Sequence, residues 1–283
     1  LPAENILLVN TPTRYNSELT KGLAAELAKN LGCQLLTVPI GDFIDETADA
    51  LEGLPLPDDT VHLTGFMKEN MQARDRSSRI LAALSAAFGG IFTCNANKTE
   101  TTVGYGTLYG DLAGAFAATA DLWKYQIYDL GRKLNAWYGR AVIPEGIFTV
   151  MPSAELSENQ DVTQGKGDPL IYEYHDYLFR SFIEPWQRQT PEDILKAYAK
   201  GNLEDLIGCS IIVSNIFPTA KDFIEDLEKW WNLFSGFAVA KRIQTPPLLA
   251  VSRRPYGYDL RESQLRPYYT DAYLSLKEKL LAD

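Results

Sequence analysis

Histidine, cysteine and methionine are scarce in this 283-residue chain, and its basic charge is outweighed by its acidic charge. Two histidines, His62 and His175, cannot assemble a histidine-rich metal cluster. His175, within Tyr172-Glu173-Tyr174-His175-Asp176-Tyr177, reads as a residue of a helix and not as a member of a catalytic triad. Cys33, Cys94 and Cys209 are too few and too scattered for a disulfide framework or a zinc site. Cys33 and Cys94 border apolar runs, where cysteine acts as a small core residue. This usage fits a reducing cytoplasm. The net charge of −10 argues against a nucleic acid or an anionic membrane as partner. No apolar run approaches the roughly 18 residues that span a bilayer, and none reads as a secretory leader.

What the chain does have is a globular composition, 46% hydrophobic, and length enough to bury a large core. Ile6–Asn10 reads as a short apolar strand. The loop from Thr11 to Ser17 precedes a helix with Leu19, Leu23, Leu27 and Leu31 on one face, closed by Gly32. A second strand follows at Leu35–Ile40. A long helix from about Met67 to Phe88 ends at Gly89-Gly90, and Gly90–Cys94 reads as a buried parallel strand. A helix over about Asp121 to Tyr138 and a strand at Gly146–Val150 complete the series. Alternation of this kind predicts an α/β fold, a parallel sheet flanked by helices. From Pro152 the character changes. A loop of about twenty residues reads as a functional lid, and helices follow, including one from Thr219 to about Lys241.

Chemistry concentrates after the Gly90–Cys94 run. Asn97-Lys98-Thr99-Glu100 and Gly104-Tyr105-Gly106-Thr107-Leu108-Tyr109-Gly110-Asp111 stand where open α/β sheets bind ligands, so Glu100 is placed to hold a magnesium ion on a nucleotide. Asn70 and Arg74, four apart on one helix face, suit a carboxylate or phosphate; a solvated face paired with Glu69 and Asp75 is the alternative. Lys124, after Trp123, either snorkels or points at a phosphate. Ser153, in Met151-Pro152-Ser153-Ala154-Glu155, either ligates a metal or phosphate or caps a turn. Lys241-Arg242 and Arg253-Arg254 either complete an anion site or are surface charge.

Taken together, Pro12–Ser17, Glu69–Arg76, Asn97–Glu100, Gly104–Asp111, Lys124, Pro152–Leu156 and Lys241-Arg242 resemble the synthetase part of NAD synthetase, of the ATP-pyrophosphatase group of amide-forming ligases. The resemblance spans most of the chain. It implies an adenine nucleotide alpha-hydrolase-like fold, related to the Rossmann fold, with a helical C-terminal region. It also implies a two-step reaction, in which ATP adenylates the nicotinate carboxylate of deamido-NAD and ammonia then displaces AMP. Residue by residue, it places Arg14, Asn95, Lys124 and Ser153 at ATP. Asn70, Arg74, Glu100, Tyr105, Thr107, Asp111 and Lys241 fall at deamido-NAD, and Glu100 and Ser153 at Mg2+. Whether Asp111 binds or only orders its loop stays open. The implied organisation is a nucleotide-binding core over 1–152, a lid over 153–169 and a helical part over 170–283.

Two departures carry expectations of their own. Asn95 replaces a threonine that the family usually places on ATP. The family's Ser-Gly-Gly-x-Asp-Ser phosphate loop, due shortly before Ile6, does not occur, so this chain is expected to be cut and inactive when isolated. The Arg253–Asp283 extension resembles that of glutamine-fed members, in which an upstream amidase domain supplies the ammonia. Members of the family dimerise. Adjacent Trp230 and Trp231 cannot share a helix face, so a homodimer or higher homo-oligomer is expected to cover one of them, with packing inside the chain as the alternative. A GMP-forming ligase and a non-catalytic nucleotide-binding remnant are the competing readings.

Overall fold

The computed structural model describes residues 1–184, 188–256 and 267–282. The chain divides into two units. The first comprises Leu1–Thr93, Thr107–Ala115 and Tyr128–Pro169, and the second Cys94–Gly106, Phe116–Ile127 and Leu170–Asp283.

The first unit opens with β1 (Leu7–Asn10), α1 (Glu18–Leu31) and β2 (Gln34–Thr37), and the two strands pair in parallel with Leu7 opposite Gln34. Parallel pairing needs a crossover, which α1 supplies. The Ser17 hydroxyl accepts from Thr20 N at the start of α1, and Gly32, at φ 69°, ends it in a left-handed turn. After α2 (Gly41–Leu51), α3 (Gly65–Arg74) runs through a π-helical turn (Asp75–Leu81) into α4 (Ala82–Phe88), which Gly89 closes at φ 72°. The expected long helix is therefore present, with a π segment that shifts its register at Arg76; such turns often mark functional sites.

Two expected strands are corrected. Gly146–Val150 is instead a helical turn, α7 (Gly146–Thr149), with Val150 N donating to Gly146 O at 2.8 Å. Periodicity cannot separate a short buried strand from a buried helical turn. Phe148 lies so close to Gly131 that a methyl group there would meet its ring at 2.7 Å, so the run packs on a helix and not in a sheet. Gly90–Cys94 is likewise not a strand among the described residues. It makes bridge bonds, Ala115 N to Phe92 O and Cys94 N to Phe116 O, and Ile91 is 69% exposed, so the run is not buried on both faces.

The second unit is helical: α5 (Lys98–Val103), the start of α6 (Lys124–Tyr138), α8 (Tyr172–Ile183), α9 (Pro191–Lys200), α10 (Leu203–Ile207), α11 (Ala220–Ser235), α12 (Ala238–Gln244) and α13 (Asp271–Ala282). The expected helix from Thr219 to Lys241 breaks at Gly236, where a Cβ would lie 2.4 Å from Asn232 O. The core gathers Leu178, Phe179, Ile194, Phe223, Leu227 and Trp230. His175 is fully buried within it. Its Nδ1 accepts from Ile171 N at 2.8 Å, and Nε2 lies 3.0 Å from Asp226 Oδ2, tying α8 to α11. Trp230 Nε1 donates to the other oxygen of Asp226 at 2.8 Å. Trp231 packs edge-on against Phe182, 5.1 Å between centroids, so this chain's own aromatics claim both tryptophans. The argument that one tryptophan needs a partner therefore falls.

Of the Arg253–Asp283 segment, 257–266 and Asp283 lie outside the described residues. No described helix is long and apolar enough to cross a membrane.

Candidate active site

In the first unit, α3 and the Thr107–Asp111 loop bring four of the expected residues together. Thr107 Oγ1 donates to Asn70 Oδ1 at 2.8 Å, and Asp111 Oδ1 accepts from Thr107 N at 2.7 Å. Asp111 thus closes the turn that presents Thr107. Arg74, one turn after Asn70, donates Nε to Leu108 O at 3.1 Å. Gly110 makes this approach possible, since a Cβ there would stand 3.1 Å from the Ala73 backbone.

Arg14 lies elsewhere in the same unit, after β1. It pairs with Asp45 at 2.8 Å and shares a cavity of about 330 Å³ with Tyr15, Glu158, Asp161 and Lys166 of the 153–169 segment. Ser153 Oγ donates to Gln160 O at 2.7 Å and accepts from Glu155 N at 3.1 Å, so its hydroxyl folds that segment back on itself. Asp168 N donates to Pro152 O at 2.9 Å, closing the segment at its base.

Two neighbours carry more of this unit than their sequence suggested. Glu155, 3% exposed and at φ 47°, accepts from Ser17 N at 3.1 Å and from Thr20 Oγ1 at 2.5 Å. Arg76 bridges toward Ala154 O and Asn16 Oδ1, each at 3.4 Å. Burial pulls the Arg76 guanidinium below its ordinary pKa, while Asp111 and Glu155 pull it back.

In the second unit, α5 begins with a capping box. Asn97 Oδ1 accepts from Glu100 N at 2.9 Å, and the Glu100 carboxylate accepts from Asn97 N at 3.0 Å. The Tyr172 hydroxyl, on α8, donates to Glu100 Oε1 at 3.1 Å. Lys124 Nζ lies 5.0 Å from the centre of the Tyr172 ring, so Glu100 and Lys124 meet at one tyrosine. Asn95, exposed, precedes the box. Lys241 Nζ donates to Gly104 O at 2.7 Å, and Tyr105 N to Glu100 O at 2.8 Å, so both lie around the C-terminal end of α5.

Lys98, which the motif made conspicuous, is fully buried. Its ammonium meets Asp121 at 2.8 Å, Glu184 at 3.0 Å, Ser252 Oγ at 2.9 Å and Arg254 O at 3.0 Å. Asp176, also missed from the sequence, accepts from the Thr99 hydroxyl and from Tyr125 N at 2.9 Å. Burial pushes its carboxyl up to about 6 despite both bonds. Tyr172 and Asp176 carry no sequence signal beyond their spacing of four on α8.

Among the described residues no group of three or more His, Cys, Asp and Glu can hold a metal ion by itself. One carboxylate, Glu100, is nonetheless the donor set with which proteins hold Mg2+ carried on nucleotide phosphates.

Parallel strands joined by a helical crossover make the first unit α/β, beside a helical second unit whose α5 start bears a carboxylate. The chain belongs to the NAD synthase family, whose model matches residues 1–207. It is 39% identical over 197 residues to a glutamine-dependent NAD(+) synthetase of Thermotoga maritima, covering 69% of this chain and 32% of the relative. To the enzyme of that name from Xanthomonas campestris it is 33% identical over 262 residues, 92% of this chain and 41% of the relative. The chain thus spans less than half the length of these relatives. The crystal structure of a glutamine-dependent NAD(+) synthetase from Cytophaga hutchinsonii matches with a TM-score of 0.65 at 18% identity, over 97% of this chain and 40% of that one. The NMN synthetase of Francisella tularensis matches with a TM-score of 0.53 at 21% identity, over 71% and 73%. Both structural likenesses concern the fold.

Proposed function

We propose that the intact protein carrying this chain makes NAD from deamido-NAD. ATP and the nicotinate carboxylate give an acyl-adenylate and pyrophosphate, and ammonia then displaces AMP to form the amide. The observation that carries this reading is the convergence of Glu100 and Lys124 on Tyr172, in a chain of the NAD synthase family. A carboxylate becomes an acyl donor only when its oxygen is made a good leaving group. Magnesium, when bound, neutralises charge on the departing pyrophosphate. Glu100 would hold it and Lys124 would face the phosphates, and a metal role for Ser153 rests on the resemblance alone. Arg14 and Asn95 are assigned to ATP. Asn70, Arg74, Tyr105, Thr107, Asp111 and Lys241 are assigned to the dinucleotide, with Asp111 acting through the Thr107 turn. Glutamine as the source of ammonia is supported by the name its relatives carry.

The 153–169 segment acts as a lid in this reading, supported by the cavity that Lys166 and Arg14 share. Hydrogen exchange with and without ATP and deamido-NAD tests it, and equal strong protection in both states rules the lid out. The organisation into a core over 1–152 and a helical part over 170–283 goes with it. A cytoplasmic homodimer completes the proposal. Phe237 and Ile243, 60% and 72% exposed, are among the apolar side chains available to a partner, and sedimentation at micromolar concentration decides the oligomeric state. The function itself is tested by assaying the intact protein for NAD formation from deamido-NAD, ATP and either ammonia or glutamine. AMP and pyrophosphate should appear in equal amounts with NAD, and their absence refutes the reading.

A further inference from the structure

Tyr172 and Asp176 stand one turn apart on α8 and project from the same side of it. Each meets the beginnings of both α5 and α6. Asp176 accepts from Tyr125 N at 2.9 Å, at the start of α6, and from the Thr99 hydroxyl, at the start of α5. Lys124 N adds a bond to Thr99 Oγ1 at 3.4 Å. The Tyr172 hydroxyl reaches Glu100 Oε1 at 3.1 Å, and its ring lies 5.0 Å from Lys124 Nζ. Tyr172 is itself 7% exposed and belongs to the hydrophobic core, so its ring cannot follow the groups that lean on it.

We infer that Tyr172 is a positioning residue for both charges of the site: its hydroxyl orients the Glu100 carboxylate and its ring face fixes the Lys124 ammonium. The inference rests on the proposed function for the roles of Glu100 and Lys124. Lysine and glutamate side chains rotate freely in water, and a charge held in place before the ligand arrives binds it without paying to order the side chain. Tyr172 separates the two effects chemically. A phenylalanine keeps the ring and deletes the donor, while a leucine deletes both.

Calorimetric titration of the intact protein with ATP, once with excess Mg2+ and once with EDTA, reads each effect without turnover. Tyr172→Phe should weaken binding of Mg·ATP about tenfold, the scale of one hydrogen bond to a charged group, and leave binding in EDTA unchanged. Tyr172→Leu should weaken both. Tyr172→Phe within twofold of wild type in the presence of Mg2+ overturns the inference, whatever happens to the melting temperature. Because the phenylalanine fills the same volume, this arm stands even if Tyr172→Leu does not fold. A wild-type protein that binds no Mg·ATP overturns the proposed function and this inference together. A wild type that binds, beside an unaffected Tyr172→Phe, overturns only the latter.

Discussion

Lys98 Nζ lies 2.8 Å from Asp121 Oδ1, and both side chains are fully out of water. Burial alone would push the Asp121 carboxyl up, yet the Lys98 bond and the amide and hydroxyl of Ser252 hold it below the ordinary carboxylate range. Removing one partner of such a pair leaves a buried charge uncompensated, at a cost of about 3–5 kcal/mol. Lys98→Met should therefore lower the unfolding free energy by about that much in urea denaturation. Lys98→Met combined with Asp121→Asn should recover part of the loss, since the double change removes both charges. A single-variant loss below about 1 kcal/mol would show that the Lys98–Asp121 pair contributes no more to stability than an exposed one.

Asp176 makes a prediction in pH. Its folded carboxyl titrates at about 6 because of burial, against an ordinary value of 3.8. Between those two values the folded protein keeps a proton that the unfolded chain has lost, so the group's contribution to stability falls as pH rises through that window. Asp176→Asn cannot ionise. The melting temperature of wild type should fall relative to this variant from about pH 4 to about pH 6, and the two should run parallel above about pH 7. A constant difference across that range would mean that Asp176 titrates as an ordinary aspartate.

Glu100 carries two jobs that one substitution separates. Glutamine serves in a capping box about as well as glutamate, so Glu100→Gln should scarcely move the melting temperature. It removes the charge assigned to magnesium, and NAD formation by the intact protein should fall by about 10²–10³, the scale of losing one preorganised electrostatic partner. A near-normal rate with a lowered melting point would make Glu100 a helix cap and nothing more.

Gly104 and Gly139 have nearly the same left-handed backbone, φ 66° and 63°, in different surroundings. A Cβ at Gly104 would lie 2.9 Å from Ala238 and 3.0 Å from Lys241 Cδ, while nothing stands within 4 Å of one at Gly139. Gly139→Ala should cost only the backbone strain, about 1–2 kcal/mol. Gly104→Ala should cost more than this and should displace Lys241 from Gly104 O. Equal losses in thermal unfolding would show that α12 yields without resistance.

The opening βαβ unit and the glycine stops of α1 and α4 were legible in the sequence, whereas the helix that Asn97 caps was read as a loop. Each of those that were read is a local matter: an apolar run, or a glycine such as Gly32 or Gly89 that stops a helix. Such signals act within one or two turns of chain, and the residue types at those positions determine them. Tertiary structure alone decided that Gly146–Val150 coils where an equally apolar run elsewhere would extend, because Phe148 had Gly131 to rest on. It also sent Lys98 inward to Asp121 and Glu184 while Glu100, two positions on, turned to Tyr172. Tyr172 and Asp176 lie 72 and 77 residues from the groups they hold, and Glu155 lies 138 from Ser17. A carboxylate's role is set by what desolvates it and what donates to it, and at those separations only the folded chain brings the two together.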